Sequence, residues 1–257
     1  MSTPDTGVPE LDGAPLFLLD MLPEGLAVGG ELLVDGDEGR HAVEVLRLEP
    51  GEPVRVGDGQ GRVAAGSVAS AGPEGLRVAV TARFEVPEPA PEFVLVQALP
   101  KGDRGPLAVD LATELGVDRI VPWTASRCIT QWRGDRIEKG VAKWRAVARA
   151  ASKQSRRPRL PEVTEPMTTR EVCGLLADAD MAIVLHEQAR RPLAELDIPR
   201  DGTVVVVVGP EGGLTDGEVV AFRAAGAQAV RLGAEVLRTS TAGAAALAAL
   251  SMRTRWV

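Results

Sequence analysis

After residue 92, the chain alternates between short apolar runs and longer segments with helical periodicity. The apolar runs are FVLVQAL at 93–99, DRIVPW at 118–123, MAIVLHE at 181–187, TVVVVVG at 203–209 and GAQAVRLG at 226–233. Segments between them, such as GPLAVDLATELG, DRIEKGVAKWRAVARAASKQS and TDGEVVAFRAAG, repeat apolar residues every three to four positions. Apolar strands that alternate with helices are typical of a parallel sheet covered on both faces. We therefore predict an α/β domain with a parallel sheet flanked by helices.

The first third of the chain has a different pattern, with apolar residues at every second position. EPVRVGDGQGRVAAGSVAS and GLRVAVTARFEV show this alternation, and the glycine-rich stretch inside the first is typical of a hairpin turn. A small β-barrel or sandwich accounts for this pattern, with one helix predicted over residues 37–51. Three prolines in VPEPAPE, residues 86–92, disfavour a helix or a central strand there. We predict one domain over residues 14–86 and a second over residues 92–257.

One predicted strand runs directly into a glycine-rich turn. In VVVVVGPEGGLTDGEV, residues 204–219, Thr215 and Glu218 form a capping-box pattern that predicts a helix start near Asp216. Glycines let a ligand approach the backbone, and ligands collect at the carboxyl ends of parallel strands. The turn lacks the phosphate-loop and dinucleotide patterns, and Glu211 would suit a cationic or hydroxyl-bearing ligand. A purely structural turn is the alternative.

Two further strands end in unusual loops. IVLHE stops at His186 and Glu187, and VRLGAEVLRTSTAG leads from Gly233 into an alanine-rich helix. Because parallel strands end at one edge of a sheet, we expect the three loops to frame one pocket. His186 is also open to a purely structural interpretation. Hydroxyl groups stand where N-caps of the last helix are expected, on Thr239, Ser240 and Thr241.

The composition bears on metal binding, on the state of the cysteines and on where in the cell the protein acts. The 257 residues include two cysteines, Cys128 and Cys173, and two histidines, in no pattern of zinc ligands. We expect reduced thiols and no metal. The sequence has no apolar run of bilayer length, and its N-terminus lacks the basic start of a secretion signal. We therefore expect a cytoplasmic protein, with a loose tail over residues 1–13.

Charge is distributed unevenly along the chain. The net charge is −7, yet residues 101–160 hold 14 Lys and Arg against six Asp and Glu, which leaves −15 for the remainder. A basic segment in an acidic chain predicts a positive face that binds nucleic acid. An ordinary solvated helix is the alternative interpretation.

Together, these segments resemble the bacterial ribosomal RNA small-subunit methyltransferase E family, of the SPOUT class. LHE, VVGPEGGLTDGEV and RLGAEVLRTSTA resemble three of its signature segments. LPKGDRGPLAVDLATELGVDRIVPWTASRC, KWRAVARAASKQSRRPRLPEV and HAVEVLRLEPGE resemble three more, and the six span residues 16 to 250 in family order. The resemblance implies a PUA-like β-barrel that binds RNA over residues 14–86. It also implies a SPOUT methyltransferase domain over residues 92–257, with a deep C-terminal trefoil knot.

The resemblance further implies an activity and partners. The family is a homodimer that uses S-adenosylmethionine to methylate N3 of uracil 1498 in the 16S rRNA of the assembled small ribosomal subunit. The cofactor would then lie against three walls formed by the three strand-end loops. The wall residues are Leu185, His186 and Glu187, then Gly209, Pro210, Glu211, Gly212 and Gly213, and finally Leu232, Gly233, Leu237, Arg238, Thr239, Thr241 and Ala242.

Methylation at N3 requires stabilisation of negative charge on the uracil, because N3 carries a proton at neutral pH. We assign this catalytic role to Arg238, supported by Arg156 or Arg157. No general base stands out; Glu211 and Glu114 are candidates, and a structural role is favoured for both. Phosphate contacts are expected from basic residues, namely Lys101, Arg104, Arg149, Lys153, Arg156, Arg157, Arg159, Arg47 and His41.

Two positions depart from the family pattern. Ser240 stands where the family has a glutamate, and Leu111 stands where it often has a lysine. The resemblance therefore carries over no role for a glutamate or a lysine at these two positions. Three alternatives stay open: a ribosome-binding module with a vestigial pocket, another SPOUT enzyme that acts on transfer RNA, and a nucleotide-dependent enzyme of doubly wound topology. The missing phosphate loop argues against the last.

Overall fold

A computed structural model describes residues 13–257, so the tail predicted over residues 1–13 lies outside the described residues except for its last position. The described chain forms two compact units. The first holds the residues up to Glu88 together with Ser152–Leu160, and the second holds Pro89–Ala151 and Pro161–Val257. Each unit has its own cluster of buried apolar side chains.

The first unit is built on a mixed sheet. Its described strands are β1 (Leu16–Leu18), β2 (Glu31–Val34), β3 (Pro53–Gly57), β4 (Arg62–Gly72) and β5 (Gly75–Glu85), in the order β1-β3-β4-β5-β2. The antiparallel pairs β3–β4 and β4–β5 are hairpins, as the alternating valines predict, while β1 pairs with β3 in parallel. Val54, Val56, Val78 and Val80 are buried in its core. The period of two is therefore the inside–outside alternation of a half-buried sheet.

The helix predicted over residues 37–51 is shorter in the structure. A short helix, α1 (Gly36–Arg40), continues as a π-helical turn over His41–Val45. The Leu46 backbone N–H closes this wider turn by donating to the His41 carbonyl, five residues back. Arg47 then adopts a φ of 53°, which a right-handed helix does not allow. The helix prediction beyond Val45 is wrong because this backbone reversal ends the helix.

The second unit is built on a parallel sheet with helices. Its described strands are β6 (Glu92–Ala98), β7 (Arg119–Trp123), β8 (Glu162–Val163), β9 (Met181–Leu185), β10 (Thr203–Val208) and β11 (Gln228–Val230). Its helices are α2 (Arg104–Glu114), α3 (Asp135–Gln154, whose last turn belongs to the first unit), α4 (Thr169–Ala177), α5 (Asp216–Ala224) and α6 (Thr239–Ser251). A 3₁₀ turn covers Leu193–Glu195. The strand order is β11-β9-β10-β6-β7-β8, and the described pairs are all parallel, which confirms the predicted α/β architecture.

Burial explains the continuous apolar strands of this sheet. β10 lies between β9 and β6, α6 packs on it, and its residues 204–208 are at most 2 % exposed. Trp123 of β7 packs edge-on against Phe222 of α5, with ring centroids 5.2 Å apart. The predicted apolar face of α3 is buried at Val141, Trp144, Ala148 and Ala151. Apolar contacts on the sheet therefore position the helices that follow each strand.

The sheet register brings three strand ends to one edge. Val184 of β9 pairs with Val207 of β10 and with Ala229 of β11, so the carboxyl ends of these strands lie side by side. The loops that leave these ends are consequently neighbours. Across residues 13–257, none of the helices has the length and apolar character needed to cross a membrane.

Candidate functional site

The loops after β9, β10 and β11 enclose a cavity of about 760 Å³. Its walls are residues 185–188, residues 208–214 and residues 230–239, together with Ala242 of α6. The prediction that three strand ends frame one pocket is thus confirmed. The predicted wall residues belong to this lining except for Thr241, which lies in the first turn of α6. The binding roles assigned to the individual residues stay predictions.

The glycine-rich turn forms the middle wall. Gly213 has a φ of 70°, in the left-handed region that favours glycine, and its N–H donates to the Pro210 carbonyl at 2.9 Å. Helix α5 follows at once, with the predicted capping box. The Thr215 hydroxyl accepts from the Glu218 N–H, and the Glu218 carboxylate accepts from the Thr215 N–H at 2.8 Å. The turn and the helix start are therefore set by residues close together in sequence.

A carboxylate anchors the turn to the start of α2 and to the segment just before it. The Glu211 carboxylate accepts from the Lys101 backbone N–H at 3.1 Å and from the Arg104 guanidinium at 3.0 Å. Burial raises the pKa of Glu211, but hydrogen bonds from its own N–H, from Lys101 and from Arg104 outweigh that effect and hold the pKa below its ordinary value. Glu211 is thus an ionised anchor, which supports the structural role over that of a general base.

A second set of contacts joins the turn to the loop after β7. Arg127 donates through Nη1 to the carbonyls of Gly212 at 2.9 Å and Leu214 at 3.1 Å. The Glu218 carboxylate, 4 % exposed, also accepts from the Ser126 N–H at 2.8 Å. Burial raises the pKa of Glu218, but its hydrogen bonds from Ser126 and Thr215 lower the pKa by more, so it stays below its ordinary value. The side chains of Arg127 and Glu218 thus hold the middle wall in place.

The hydroxyl caps predicted at residues 239–241 are wrong. Arg238 is the N-cap residue of α6, and no side-chain hydrogen bond caps this described helix. The Thr239 hydroxyl instead donates to the Gly209 carbonyl at 2.8 Å and accepts from Gln97 Nε2 at 3.0 Å. The Thr241 hydroxyl donates to the Arg238 carbonyl at 3.2 Å. The Thr239 hydroxyl is bonded to distant segments and is not available to its own helix.

His186 stands in the first wall, where β9 ends. Its backbone N–H donates to the carbonyl of Val230, the last residue of β11, at 2.9 Å. This bond joins the first wall to the strand that leads into the third wall. Its imidazole Nδ1 accepts from the Gln188 backbone N–H at 3.1 Å. These contacts support the structural interpretation of His186, although the side chain also lines the cavity.

Several predicted RNA-contacting residues form ion pairs. In the first unit, Lys153 pairs with Glu38 at 2.6 Å, and the Arg159 guanidinium lies 3.7 Å from the Glu85 carboxylate and 3.6 Å from that of Glu88. In the second unit, Arg104 pairs with Glu211, while Lys101 is exposed beside it. Acids from other segments therefore balance part of the positive charge of residues 101–160.

The remaining predicted basic residues divide between the units. Arg149 lies on α3 in the second unit, half-buried. Arg156, which is exposed with a φ of 57°, and Arg157 lie in the first unit and are not part of the cavity lining. His41 lies in the π-helical turn, and Arg47 is exposed just after it.

Sequence reasoning missed polar residues of the lining. Arg127 carries no local signal, because it lies 85 residues before the Gly212 carbonyl that it contacts. Asp216 follows the second predicted wall and Glu235 lies within the third, so both could have been found from their neighbours in sequence. The missed polar lining residues are Arg127, Gln188, Asp216, Arg231 and Glu235. Within the described part of the chain, no three potential metal ligands cluster.

Two segments of the chain match known protein families. Residues 87–251 match an RNA methyltransferase domain, and residues 34–81 match an RNA methyltransferase PUA domain. Ribosomal RNA small subunit methyltransferase E of Mycobacterium tuberculosis is 46% identical over 248 residues, which cover 95% of this chain and 94% of that protein. The Bacillus subtilis protein of the same name is 25% identical over 247 residues, with 93% and 96% covered.

Solved structures share the fold along nearly the whole chain. Ribosomal RNA small subunit methyltransferase E of Neisseria gonorrhoeae, bound to S-adenosyl methionine, is 30% identical with a TM-score of 0.79, covering 94% of this chain and 98% of that one. A putative methyltransferase of Legionella pneumophila, in complex with the bound cofactor SAM, is 26% identical with a TM-score of 0.80 and the same coverage.

Proposed function

Because the chain belongs to the ribosomal RNA small subunit methyltransferase E family, we propose that it transfers a methyl group from S-adenosylmethionine to N3 of uracil 1498 in 16S rRNA. The substrate would be the assembled small ribosomal subunit. The observation that carries the proposal is the cavity of about 760 Å³ at the carboxyl edge of the parallel sheet. Its three walls come from the segments that resemble the family signatures.

The cavity suits a folded sulfonium nucleoside. Its volume lies in the range of sites that hold small ligands. Gly209, Gly212 and Gly213 line the cavity with backbone atoms alone, so backbone groups of the middle wall can contact the base edge. Acidic side chains such as Glu187 and Glu235 line the cavity together with arginines such as Arg231, so the cationic and anionic groups of the cofactor would both have opposite charges nearby. When bound there, S-adenosylmethionine would supply an electrophilic methyl group on its sulfonium. We propose the predicted wall residues that line the cavity as its contacts.

Arg238 is the proposed catalytic residue. It lines the cavity, and the N–H groups of Thr241 and Ala242 both donate to its carbonyl at 2.9 Å, which fixes its backbone at the start of α6. A guanidinium at this position would stabilise the charge that develops on the uracil as N3 loses its proton. Arg156 and Arg157 belong to the first unit and are not part of the cavity lining, so the proposal places the catalytic charge on Arg238.

RNA binding is proposed to rest on phosphate contacts from the predicted basic residues of both units. Exposed Lys101, Arg156 and Arg47 are the strongest candidates, because no described ion pair neutralises them. Affinity for the small subunit should then fall steeply as salt rises, since binding releases counterions. A flat salt response would contradict this part of the proposal.

The architecture and assembly of the family extend the proposal. We assign residues 14–86 as a PUA-like β-barrel that binds RNA and residues 92–257 as a SPOUT domain with a deep trefoil knot. The knot is proposed from membership of the family, and the strand order β11-β9-β10-β6 is compatible with it. Exposed Met252, Trp256 and Val257 support a homodimer. Light scattering should give twice the chain mass of 27.0 kDa.

The decisive experiment measures methyl transfer. Small subunits from a strain that lacks this protein are incubated with the purified protein and S-adenosylmethionine, and the rRNA is mapped by mass spectrometry. We expect one methyl group, at N3 of a single uridine, that is missing from the strain and restored by the protein. Methylation of another RNA would assign a different substrate, and cofactor binding without transfer would support the non-catalytic module.

A further inference from the structure

A line of buried hydrogen bonds joins the first strand of the α/β unit to two walls of the cavity. Gln97, near the end of β6, is 0 % exposed, and its Nε2 donates to the Thr239 hydroxyl at 3.0 Å. The Thr239 hydroxyl in turn donates to the Gly209 carbonyl at 2.8 Å. Gln97 and Thr239 are 142 positions apart, so this relay ties together three distant segments of the chain.

We propose that Gln97 is a positioning residue for S-adenosylmethionine and acts through the Thr239 hydroxyl. This inference rests on the proposed function, because it takes S-adenosylmethionine as the ligand of the cavity. Thr239 and Gly209 line the cavity, whereas Gln97 is not part of its lining. Any influence of Gln97 on the ligand must therefore pass through the residues that it holds.

The relay determines the direction of the single hydroxyl proton. A threonine at a helix start can bond to its own helix, and its hydroxyl rotates to suit its partners. Because the Gln97 amide N–H donates to the Thr239 oxygen, the Thr239 proton is left for the Gly209 carbonyl. A second bond from Gln97 Nε2, to the Ala98 carbonyl at 3.1 Å, fixes the amide itself.

The Gly209 carbonyl is the group through which the relay sets the middle wall. Gly209 precedes Pro210, and proline has no N–H, so the peptide unit between them can be oriented by hydrogen bonding only through its carbonyl. The Thr239 hydroxyl makes that bond. The same contact holds the start of α6, next to Arg238, against the turn. The relay thus sets the spacing between two walls that the ligand must bridge.

A double-mutant cycle tests the relay, with affinity for S-adenosylmethionine measured by titration calorimetry well below the melting temperature. Thr239→Val keeps the side-chain shape but removes the hydroxyl, and should weaken binding about tenfold. Gln97→Met removes the amide donor and should weaken it about threefold. The double variant should bind no more weakly than Thr239→Val alone, and Thr239→Ser should recover most of the affinity that Thr239→Val loses.

Thr254→Val is the matched control. The Thr254 hydroxyl, buried just beyond α6, donates to the Leu250 carbonyl at 2.8 Å, away from the cavity. This variant should lower the melting temperature and leave the dissociation constant unchanged. If Thr239→Val behaves in the same way, or if the two losses add in the double variant, the relay is overturned. Absence of binding by the wild-type protein would overturn the proposed function and the relay together.

Discussion

Replacing Glu218 by glutamine changes one oxygen of a buried carboxylate into an amide nitrogen and keeps the side-chain shape. In the wild-type protein, Oε1 accepts from the Ser126 N–H, and Oε2 accepts from the N–H and the hydroxyl of Thr215, each at 2.8 Å. An amide has a single acceptor oxygen, and its NH₂ group is a donor. The backbone N–H of either Ser126 or Thr215 must therefore face this NH₂ group, which cannot accept a hydrogen bond. Glu218→Gln therefore leaves one part-buried backbone N–H without its acceptor where the turn, α5 and the loop after β7 meet.

The expected loss is about 2–4 kcal/mol in the free energy of unfolding. A buried unpaired N–H costs about 1–3 kcal/mol, and a hydrogen bond to a charged acceptor is worth about 1.5–3 kcal/mol. Glu218 is 4 % exposed, so water has little access to the side of these N–H groups that faces the carboxylate. The cost of burying the charge in the wild-type protein offsets part of the difference, which keeps the expected loss below the sum.

Urea unfolding followed by tryptophan fluorescence measures this loss, because Trp123 packs against Phe222 of α5. The pKa of Glu218 is lowered in the folded protein from its ordinary value of 4.5. Its stabilisation is therefore present above pH 4.5 and is lost as the pH falls through the lower, folded pKa. The difference in stability between the wild-type protein and Glu218→Gln should be constant near neutral pH and should shrink in acid.

Glu171→Gln provides the matched control. Glu171 forms the same capping box with Thr168 at the start of α4, but it is exposed, and its described hydrogen bonds come from Thr168 alone. We expect a smaller destabilisation, because water can solvate the groups that lose their partner. If Glu218→Gln costs no more than Glu171→Gln, or if its cost is the same in acid as at neutral pH, the reasoning from burial is refuted.

Three further substitutions test the walls of the cavity. Arg238→Ala should lower turnover on small subunits about 100-fold and change affinity for S-adenosylmethionine much less, so near-wild-type single-turnover methylation would refute its catalytic role. Gly213→Ala, at a φ of 70°, should lower the free energy of unfolding in urea by about 1 kcal/mol, because alanine disfavours this backbone conformation. Gly217→Ala on α5, where a Cβ would have open space, should instead stabilise the protein. Equal effects of the two substitutions would contradict the conformational argument. Arg127→Met should weaken binding of S-adenosylmethionine about threefold to tenfold by calorimetry, and unchanged affinity would show that the turn holds its shape without these bonds.

Local patterns were sufficient for most elements of this chain. Alternating valines identified the hairpins of the first unit, and continuous apolar runs identified the parallel strands, because burial on one or both faces acts on neighbouring residues. Thr215 and Glu218 are three positions apart, so their capping box could be predicted from spacing. The resemblance to the family signatures then predicted the residues of three cavity walls, and the structure brings these three segments together at one cavity. The helix over residues 37–51 was too long because no pattern showed the reversal at Arg47.

Residues of this protein that are far apart in sequence found their partners through the tertiary structure alone. Thr239 stands where a local cap was expected, yet its hydroxyl bonds to Gly209 and Gln97, which reach it only when β6, β10 and α6 pack together. Arg127 reaches the glycine-rich turn from 85 positions away, for the same reason. The sequence by itself determined which segments become strands, turns and helix starts, since those depend on hydrogen bonds and burial within a few residues. Packing decided which polar groups meet, because a hydroxyl or guanidinium pairs with whichever acceptor the folded chain brings within about 3 Å.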